Sequence, residues 1–336
     1  MTSWLTLFAL PLVISLVLSR LLIHHFGRRL LDTPNTRSSH QIPTPRGGGI
    51  AMAAGCIITA LIALALGHIS PNIIYWLIIP SGLMAILGIC DDLFNLNIAI
   101  RLAIQFLLAG AGIYLIGFQN EWSVFTQLIV TGVMVLFVVW MTNLYNFMDG
   151  INGLAALEAI SVCASMALIY WMQATNTEIV YLLIIISASV CGFLYWNFPK
   201  AKLFMGDAGS LFLGFSLGLV AIESSSENFR ILSAWLIMLG VFIVDASYTL
   251  FYRLVTRQAI HQAHRTHAYQ KFAVKSKSHT FTTLAIIAIN LLWLLPIAIA
   301  ITTTDLPVSA ALLIAYTPLV LIAHQFRAGR IDQSIN

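Results

Sequence analysis

Five polar clusters interrupt an otherwise apolar chain, and their residue types set the chemistry open to it. The first reads Cys90-Asp91-Asp92-Leu93-Phe94-Asn95. Adjacent carboxylates at the edge of an apolar stretch repel each other and lose solvation, which a divalent cation or a bound proton offsets. Magnesium takes oxygen ligands, usually one or two carboxylates plus phosphates. A solvated helix end would look the same in isolation. The second cluster places Asn143, Asn146, Asp149 and Asn152 three residues apart, with Gly150 and Gly153 among them. On a helical turn this spacing puts neighbours on nearly one face, a stripe able to hold metal, phosphate or ribose hydroxyls. The plainer reading is a capped turn between helices. The third runs from Asn197 through Phe204 and Asp207 to Ser210. Asp207 is placed to precede or cap a helix, and a carboxylate there can also anchor a cation that holds phosphates.

The fourth cluster is His261-Gln262-Ala263-His264-Arg265-Thr266-His267-Ala268-Tyr269-Gln270-Lys271. Histidines three apart can share a face and donate to phosphate oxygens, and Arg265 can fork onto a phosphate. Zinc is conceivable from three histidines, but no thiolate or nearby carboxylate completes the set. Alternatively, the loop binds lipid headgroups. The fifth, 32–49, carries Asp32, Arg37, His40, Arg46 and three glycines, Gly47 to Gly49. It reads either as a backbone nest for an anion or as a rigid turn with topogenic charge.

The elements that position these clusters follow from composition. Of 336 residues, 59% are hydrophobic and only 9% charged, against roughly 25% charged in soluble domains. This excludes a water-soluble, disordered or collagen-like chain and predicts an all-α integral membrane protein, a single polytopic domain over 1–336. Spans of about 20 apolar residues are expected near 3–23, 47–68, 72–90, 99–117, 123–142, 153–172, 178–196, 208–222, 231–252, 281–301 and 306–325, eleven in all. The first lacks preceding positive charge, unlike a cleaved signal peptide. With eleven spans, 16 of the 17 Lys and Arg fall on one side and only Arg230 on the other. The positive-inside rule then sets the N-terminus in the periplasm and the C-terminus in the cytoplasm. Every loop rich in Asp, Asn, Gly or His opens to the same side as that charge. Glu158 and Asp245 fall inside spans, where an acid is a functional candidate. Cys56, Cys90, Cys163 and Cys191 form no C-x-x-C pair and sit in or beside apolar runs, which argues against disulfides and a thiolate zinc site. The net charge of +4 reports topology rather than nucleic-acid binding.

The ordered set D-D-x-x-N, N-x-x-N-x-x-D-G, F-M-G-D-x-G-S and the His loop, over about 32–275, resembles the polyprenyl-phosphate N-acetylhexosamine-1-phosphate transferase family, glycosyltransferase family 4. The resemblance implies that Asp91 and Asp92 handle the lipid phosphate and its proton. It implies that Asn146 and Asp149 lie near metal and diphosphate, and that Asp207 is a magnesium ligand, with Asp92 expected beside it. Phe204 would stack on uracil, and Asn197 would lie close to that base. His264, Arg265 and His267 would close over the diphosphate or sugar, and His40 stands where another branch carries a Lys near the nucleotide. Asn152 stands where other branches often have Asp, so no proton transfer is assigned to it. The H-R-T-H-A-Y-Q loop looks more like the branch that starts O-antigen-type glycans than like the peptidoglycan enzyme.

The expected reaction is therefore transfer of HexNAc-1-phosphate from a UDP-sugar to undecaprenyl phosphate in a bacterial inner membrane. The expected cofactor is Mg²⁺, with Mn²⁺ able to substitute, and a homodimer is compatible. The alternatives are phospho-MurNAc-pentapeptide transfer and, from another class, secondary transport of an anionic solute. A transporter places its polar groups near mid-membrane, whereas these gather at one face.

Overall fold

The computed structural model describes residues 2–26, 31–32, 43–118, 123–259 and 264–331. Their regular secondary structure is helical apart from an antiparallel pairing of β1 (Leu31–Asp32) with β2 (Thr44–Pro45). Long helices are α1 (Thr2–Phe26), α2 (Gly48–Ala65), α3 (Pro71–Phe94), α4 (Ile98–Ile116), α5 (Val124–Met148), α6 (Leu154–Met172), α7 (Thr177–Asn197) and α8 (Asp207–Glu227). They continue with α9 (Phe229–Met238), α10 (Gly240–Val255), a short α11 (Ala268–Ser276), α12 (His279–Thr303) and α13 (Val308–Gln325).

Ten of these are long and apolar enough to cross a bilayer. The pair α9–α10, bent by 69° where Gly240 follows Leu239, makes an eleventh span if taken as one. The chain is thus a multi-pass membrane protein, in line with the eleven expected spans. Several spans run past their expected ends, two of them into the polar clusters. Helix α3 continues to Phe94, so Asp91 and Asp92 lie in its last turn, and α5 continues to Met148, so Asn143 and Asn146 are helical. An aqueous-facing end tolerates polar side chains without ending the helix, and an apolar window therefore underestimates its length.

Local chemistry sets the helix ends. Asn97, Ser123, Asn176 and Ser278 each accept a backbone N–H from the first turn that follows, replacing a partner that the helix cannot supply itself. Helix α8 is the axis of the bundle: 89% of its apolar stretch is buried, against 17% for α5 and 22% for α1, α4 and α13. Around it pack α2, α3, α4 and α5, while α7 joins α1 to α6. Large apolar side chains such as Leu107, Tyr114, Phe125, Leu128 and Leu292 face outward, as a lipid solvent permits and water would not.

Close helix crossing at the site end depends on two positions without side chains. A Cβ on Gly49 would lie 2.0 Å from the Gly209 nitrogen, and one on Gly88 would lie 2.4 Å from the Asp207 carbonyl oxygen. The N-terminus of α8 therefore sits directly against α2 and α3. Gly48 and Gly49 N–H donate to the Phe204 and Met205 carbonyls, both at 2.9 Å, and Phe204 N–H donates to Pro45 at 2.8 Å. This backbone lacing joins the loop before α2 to the loop before α8.

Candidate active site

The C-terminal ends of α3 and α5 and the N-terminal ends of α4 and α8 meet at one end of the bundle. Asp207 is the first residue of α8, and its side chain makes no cap. Its Oδ1 instead accepts a hydrogen bond from Asn146 Nδ2 at 2.8 Å, and the same amide donates to Ser210 Oγ at 3.0 Å. The N-cap reading of Asp207 is thereby replaced by one in which the carboxylate faces α5. Asp92 reaches the same place from α3. Its Oδ2 accepts from Ala208 N–H at 3.4 Å, and its Oδ1 lies 3.7 Å from Arg46 Nη1. An anion is favoured there by the N-terminal amides and dipole of α8.

The paired acids are not equivalent. Asp91 is buried, takes the guanidinium of Arg101 on Oδ2, and accepts Leu96 N–H on Oδ1 at 2.9 Å. Arg101 also lies 3.8 Å from Asp207 Oδ2. Both oxygens of Asp91 are thus engaged in holding α4 against α3, whereas Asp92 faces Arg46 and the mouth of α8. Sequence reasoning used Arg101 and Arg46 only for topology. A signal was present for Arg101: a cation in the first turn of a helix opposes the dipole and calls for an anionic partner.

Asp149 follows the last turn of α5. Burial pushes its carboxyl well above the usual range, the charges of Asp207 and then Asp92 push it further, and Arg46 pulls it back. That ordering places the three acids in one electrostatic neighbourhood. Among the described residues no three His, Cys, Asp or Glu side chains converge tightly enough to hold an ion unaided. The donor set still fits magnesium, which needs one or two carboxylates when phosphate oxygens complete its shell. Carboxylates here outnumber the guanidinium groups that face them, leaving charge for a cation to neutralise.

The histidine loop rests on the end of α5. Tyr269 Oη donates to the Phe147 carbonyl at 2.9 Å, and the His267 ring stacks on Phe147 at 6.2 Å and on His264 at 5.0 Å. Asp245 of α10 anchors this loop. It faces His267 Nδ1 at 3.2 Å and accepts the first amides of α11, Ala268 N–H at 3.0 Å and Tyr269 N–H at 2.8 Å. The intramembrane acid Asp245 therefore positions the loop, while also accepting a hydrogen bond from Thr249 Oγ1 of its own helix at 3.2 Å. Arg265 is exposed and has no hydrogen bond or ion pair to a described residue. Burial, then His267 and Arg253, push His264 down to about 3, with Asp245 opposing.

A histidine held neutral in the fold carries its contribution to stability in full above the unfolded pKa, near 6.5. That contribution is lost as pH falls toward 3. Wild type is accordingly expected to lose thermal stability on acidification below about pH 6 more steeply than His264→Gln. Parallel acid-side slopes of Tm against pH in the two proteins would remove His264 as the cause.

Other expected site residues sit differently. Asn143 donates to Gln105 at 2.7 Å and to the Val139 carbonyl at 2.8 Å, one turn below Asn146 and turned toward α4. Asn197 is buried, accepts Gly153 N–H at 2.8 Å and donates to the Leu203 carbonyl at 2.9 Å, stapling the two loops that flank the site. Asn152 donates to the Pro199 carbonyl at 3.1 Å. Phe204 is half-buried beside Gly48. His40, Arg37 and His261 lie outside the described residues. Glu158 is buried in α6, where it accepts from Asn290 of α12 at 2.7 Å. All four cysteines are free.

A helical membrane bundle with an acid- and amide-lined, cation-compatible site at one end is the class that this geometry defines. The family model for glycosyl transferase family 4 matches residues 73–225, which include the D-D pair, the Asn146–Asp149 turn and Asp207. A Bacillus subtilis (strain 168) protein described as a probable undecaprenyl-phosphate N-acetylglucosaminyl 1-phosphate transferase is 29% identical over 278 residues, 78% of this chain and 75% of its own. The decaprenyl-phosphate N-acetylglucosaminephosphotransferase of Mycolicibacterium smegmatis is 29% identical over 268 residues, 69% of this chain and 64% of its own. The undecaprenyl-phosphate alpha-N-acetylglucosaminyl 1-phosphate transferase of Escherichia coli O157:H7 is 30% identical over 236 residues, covering 63% and 62%. Over residues 73–225 the chain is thus similar to glycosyl transferase family 4, and the relatives it resembles are described as polyprenyl-phosphate N-acetylglucosamine-phosphate transferases.

Proposed function

We propose that this chain transfers N-acetylhexosamine-1-phosphate, from UDP-GlcNAc or a UDP-linked 6-deoxy HexNAc, to undecaprenyl phosphate. The products are UMP and an undecaprenyl-diphosphate sugar, the first step of O-antigen, lipopolysaccharide or a related envelope glycan. The observation that carries this reading is the meeting of Asp92, Asp149, Asp207 and Asn146, from three separate helix ends, at one end of an apolar bundle. A lipid acceptor explains why the acids border bilayer-spanning helices. The one-sided Lys and Arg distribution supports a cytoplasmic site in a bacterial inner membrane, where nucleotide sugars are available.

In this proposal an oxygen of the lipid phosphate attacks the phosphorus that bears the sugar, and the bond from that phosphorus to the UMP oxygen breaks. Asp207 and Asp92 would hold Mg²⁺, which when bound neutralises charge on the transferring group. Asn146 fixes the Asp207 carboxylate from the side, limiting its rotation. Asp149, with its proton affinity raised, can carry or release a proton beside the same group. Arg46 and Arg265 would supply the cations that meet phosphate oxygens; Arg46 lies 3.7 Å from Asp92, and Arg265 is exposed on the histidine loop. Most of the rate would come from positioning and charge stabilisation.

Purified protein given UDP-GlcNAc, undecaprenyl phosphate and Mg²⁺ is expected to release UMP and a mass-detectable lipid diphosphate sugar. No UMP from any UDP-HexNAc in a donor panel would overturn the assignment, and the pattern across the panel identifies the sugar.

A further inference from the structure

The segment that follows α13, residues 326–331, folds back along α10 and touches the histidine loop. Gly329 N–H donates to the Thr266 carbonyl at 2.8 Å, between Arg265 and His267 in the chain. Thr266 Oγ1 is in turn 3.0 Å from His264 Nδ1. Gln258 Nε2 donates to the Gly329 carbonyl at 3.2 Å. Lys271 Nζ, on the first turn of α11, donates to the carbonyls of Arg327 at 3.0 Å and Arg330 at 2.8 Å. Ala328 is buried against Ala268 and Ala323.

Gly329 is where the turn meets α10. Its φ is +81°, and a Cβ there would lie 2.8 Å from Tyr252 Cδ1 and 2.9 Å from the Thr249 carbonyl oxygen. Only glycine satisfies both the backbone angle and the space. Asp245 holds one side of the loop through His267, Ala268 and Tyr269, and the C-terminal turn holds the other through Thr266. Backbone polar groups at a loop tip ordinarily go to water; here they are spent on fixing a loop whose side chains carry His264, Arg265 and His267.

We propose that the C-terminal turn is a positioning element of the site. Through Gly329 and Lys271 it holds the 264–267 backbone so that Arg265 and His264 face the nucleotide-sugar diphosphate rather than swinging free. The assignment of that ligand rests on the transferase reading above; the clamp itself does not. Gly329 and Lys271 act through the loop and do not touch substrate.

The test uses the full chain in lipid nanodiscs, with Gly329→Val, Lys271→Met and Lys271→Arg. Amide hydrogen exchange over 264–270 is expected to quicken by about tenfold or more in Gly329→Val and Lys271→Met, while amides of α3, α5 and α8 keep wild-type rates. Lys271→Arg can still cap the two carbonyls and is expected to restore protection. In turnover assays the first two variants should show raised donor KM and lowered kcat, with acceptor KM unchanged, a split that general loosening of the bundle would not produce. Wild-type exchange over 264–270 in both Gly329→Val and Lys271→Met overturns the clamp. Faster exchange with unaltered kinetics overturns its role in positioning. If Gly329→Val does not fold, the two Lys271 variants decide alone. A wild-type protein inactive with every donor sinks the transferase reading, while the exchange result still decides the clamp.

Discussion

Asp207→Asn is expected to lower turnover by about a thousandfold or more, the scale of removing a charge-stabilising group from a water-poor site. The substitution keeps shape and one oxygen acceptor, so Asn146 Nδ2 can still donate to it. What it removes is the negative charge at the first residue of α8. In wild type that charge lies 3.8 Å from Arg101 and close enough to Asp149 to raise that residue's proton affinity. Relief of this repulsion should leave the Tm unchanged or slightly higher, so that activity and stability part company. Purified variant and wild type compared for UMP release, with Tm read in parallel, settle the point. Turnover within about threefold of wild type, a difference of under 1 kcal/mol in barrier, would mean that Asp207 does not hold the metal or the transferring group.

The second large effect separates the adjacent acids. Asp92→Asn should abolish most turnover and leave stability intact, because Asp92 lies at the mouth of α8 with Arg46 3.7 Å away and its Oδ2 only 3.4 Å from the Ala208 amide nitrogen. Asp91→Asn should instead destabilise the protein, by about 2 kcal/mol. That lies below the range for a fully buried pair, because Arg101 keeps a fifth of its side chain exposed and retains Asp207 at 3.8 Å. Its activity loss should follow from misplacing Arg101 and α4. The distinguishing measurement is a pair of ratios, kcat and Tm against wild type for each variant. Equal Tm losses in the two variants would refute the division of labour, and so would an Asp91→Asn protein that is fully stable and inactive. Two neighbouring residues of one type can differ this way because successive helix positions point about 100° apart: one faces α4, the other α8.

Much of the architecture was readable before any coordinates. The spans were readable because a bilayer demands about 20 apolar residues per crossing, and no tertiary contact can override that demand. Their ends were less so. Asp91, Asp92, Asn143 and Asn146 continue helices that an apolar window stops short of. The bend between α9 and α10 falls inside the single span expected near 231–252, since hydropathy is blind to axis direction.

The site divides along the same line. The residue types and spacings of the D-D pair, the Asn146–Asp149 turn and Asp207 marked them as groups able to bind metal and phosphate. The distribution of Lys and Arg placed their loops on one side of the membrane. Residue type and order along the chain carry that much, because lipid solvation acts on each segment separately. Only the tertiary structure decided which of those groups face one another. It turned Asn143 to Gln105, used Asn197 to staple loops, gave Asp91 to Arg101 and left Asp92 facing Arg46 and the start of α8. It also brought Asp245 and Gly329, from separate parts of the chain, to the two sides of the histidine loop. Those pairings depend on the rotation of each helix about its axis and on the close approach that Gly49 and Gly88 allow, quantities set by packing between segments and written in none of them alone.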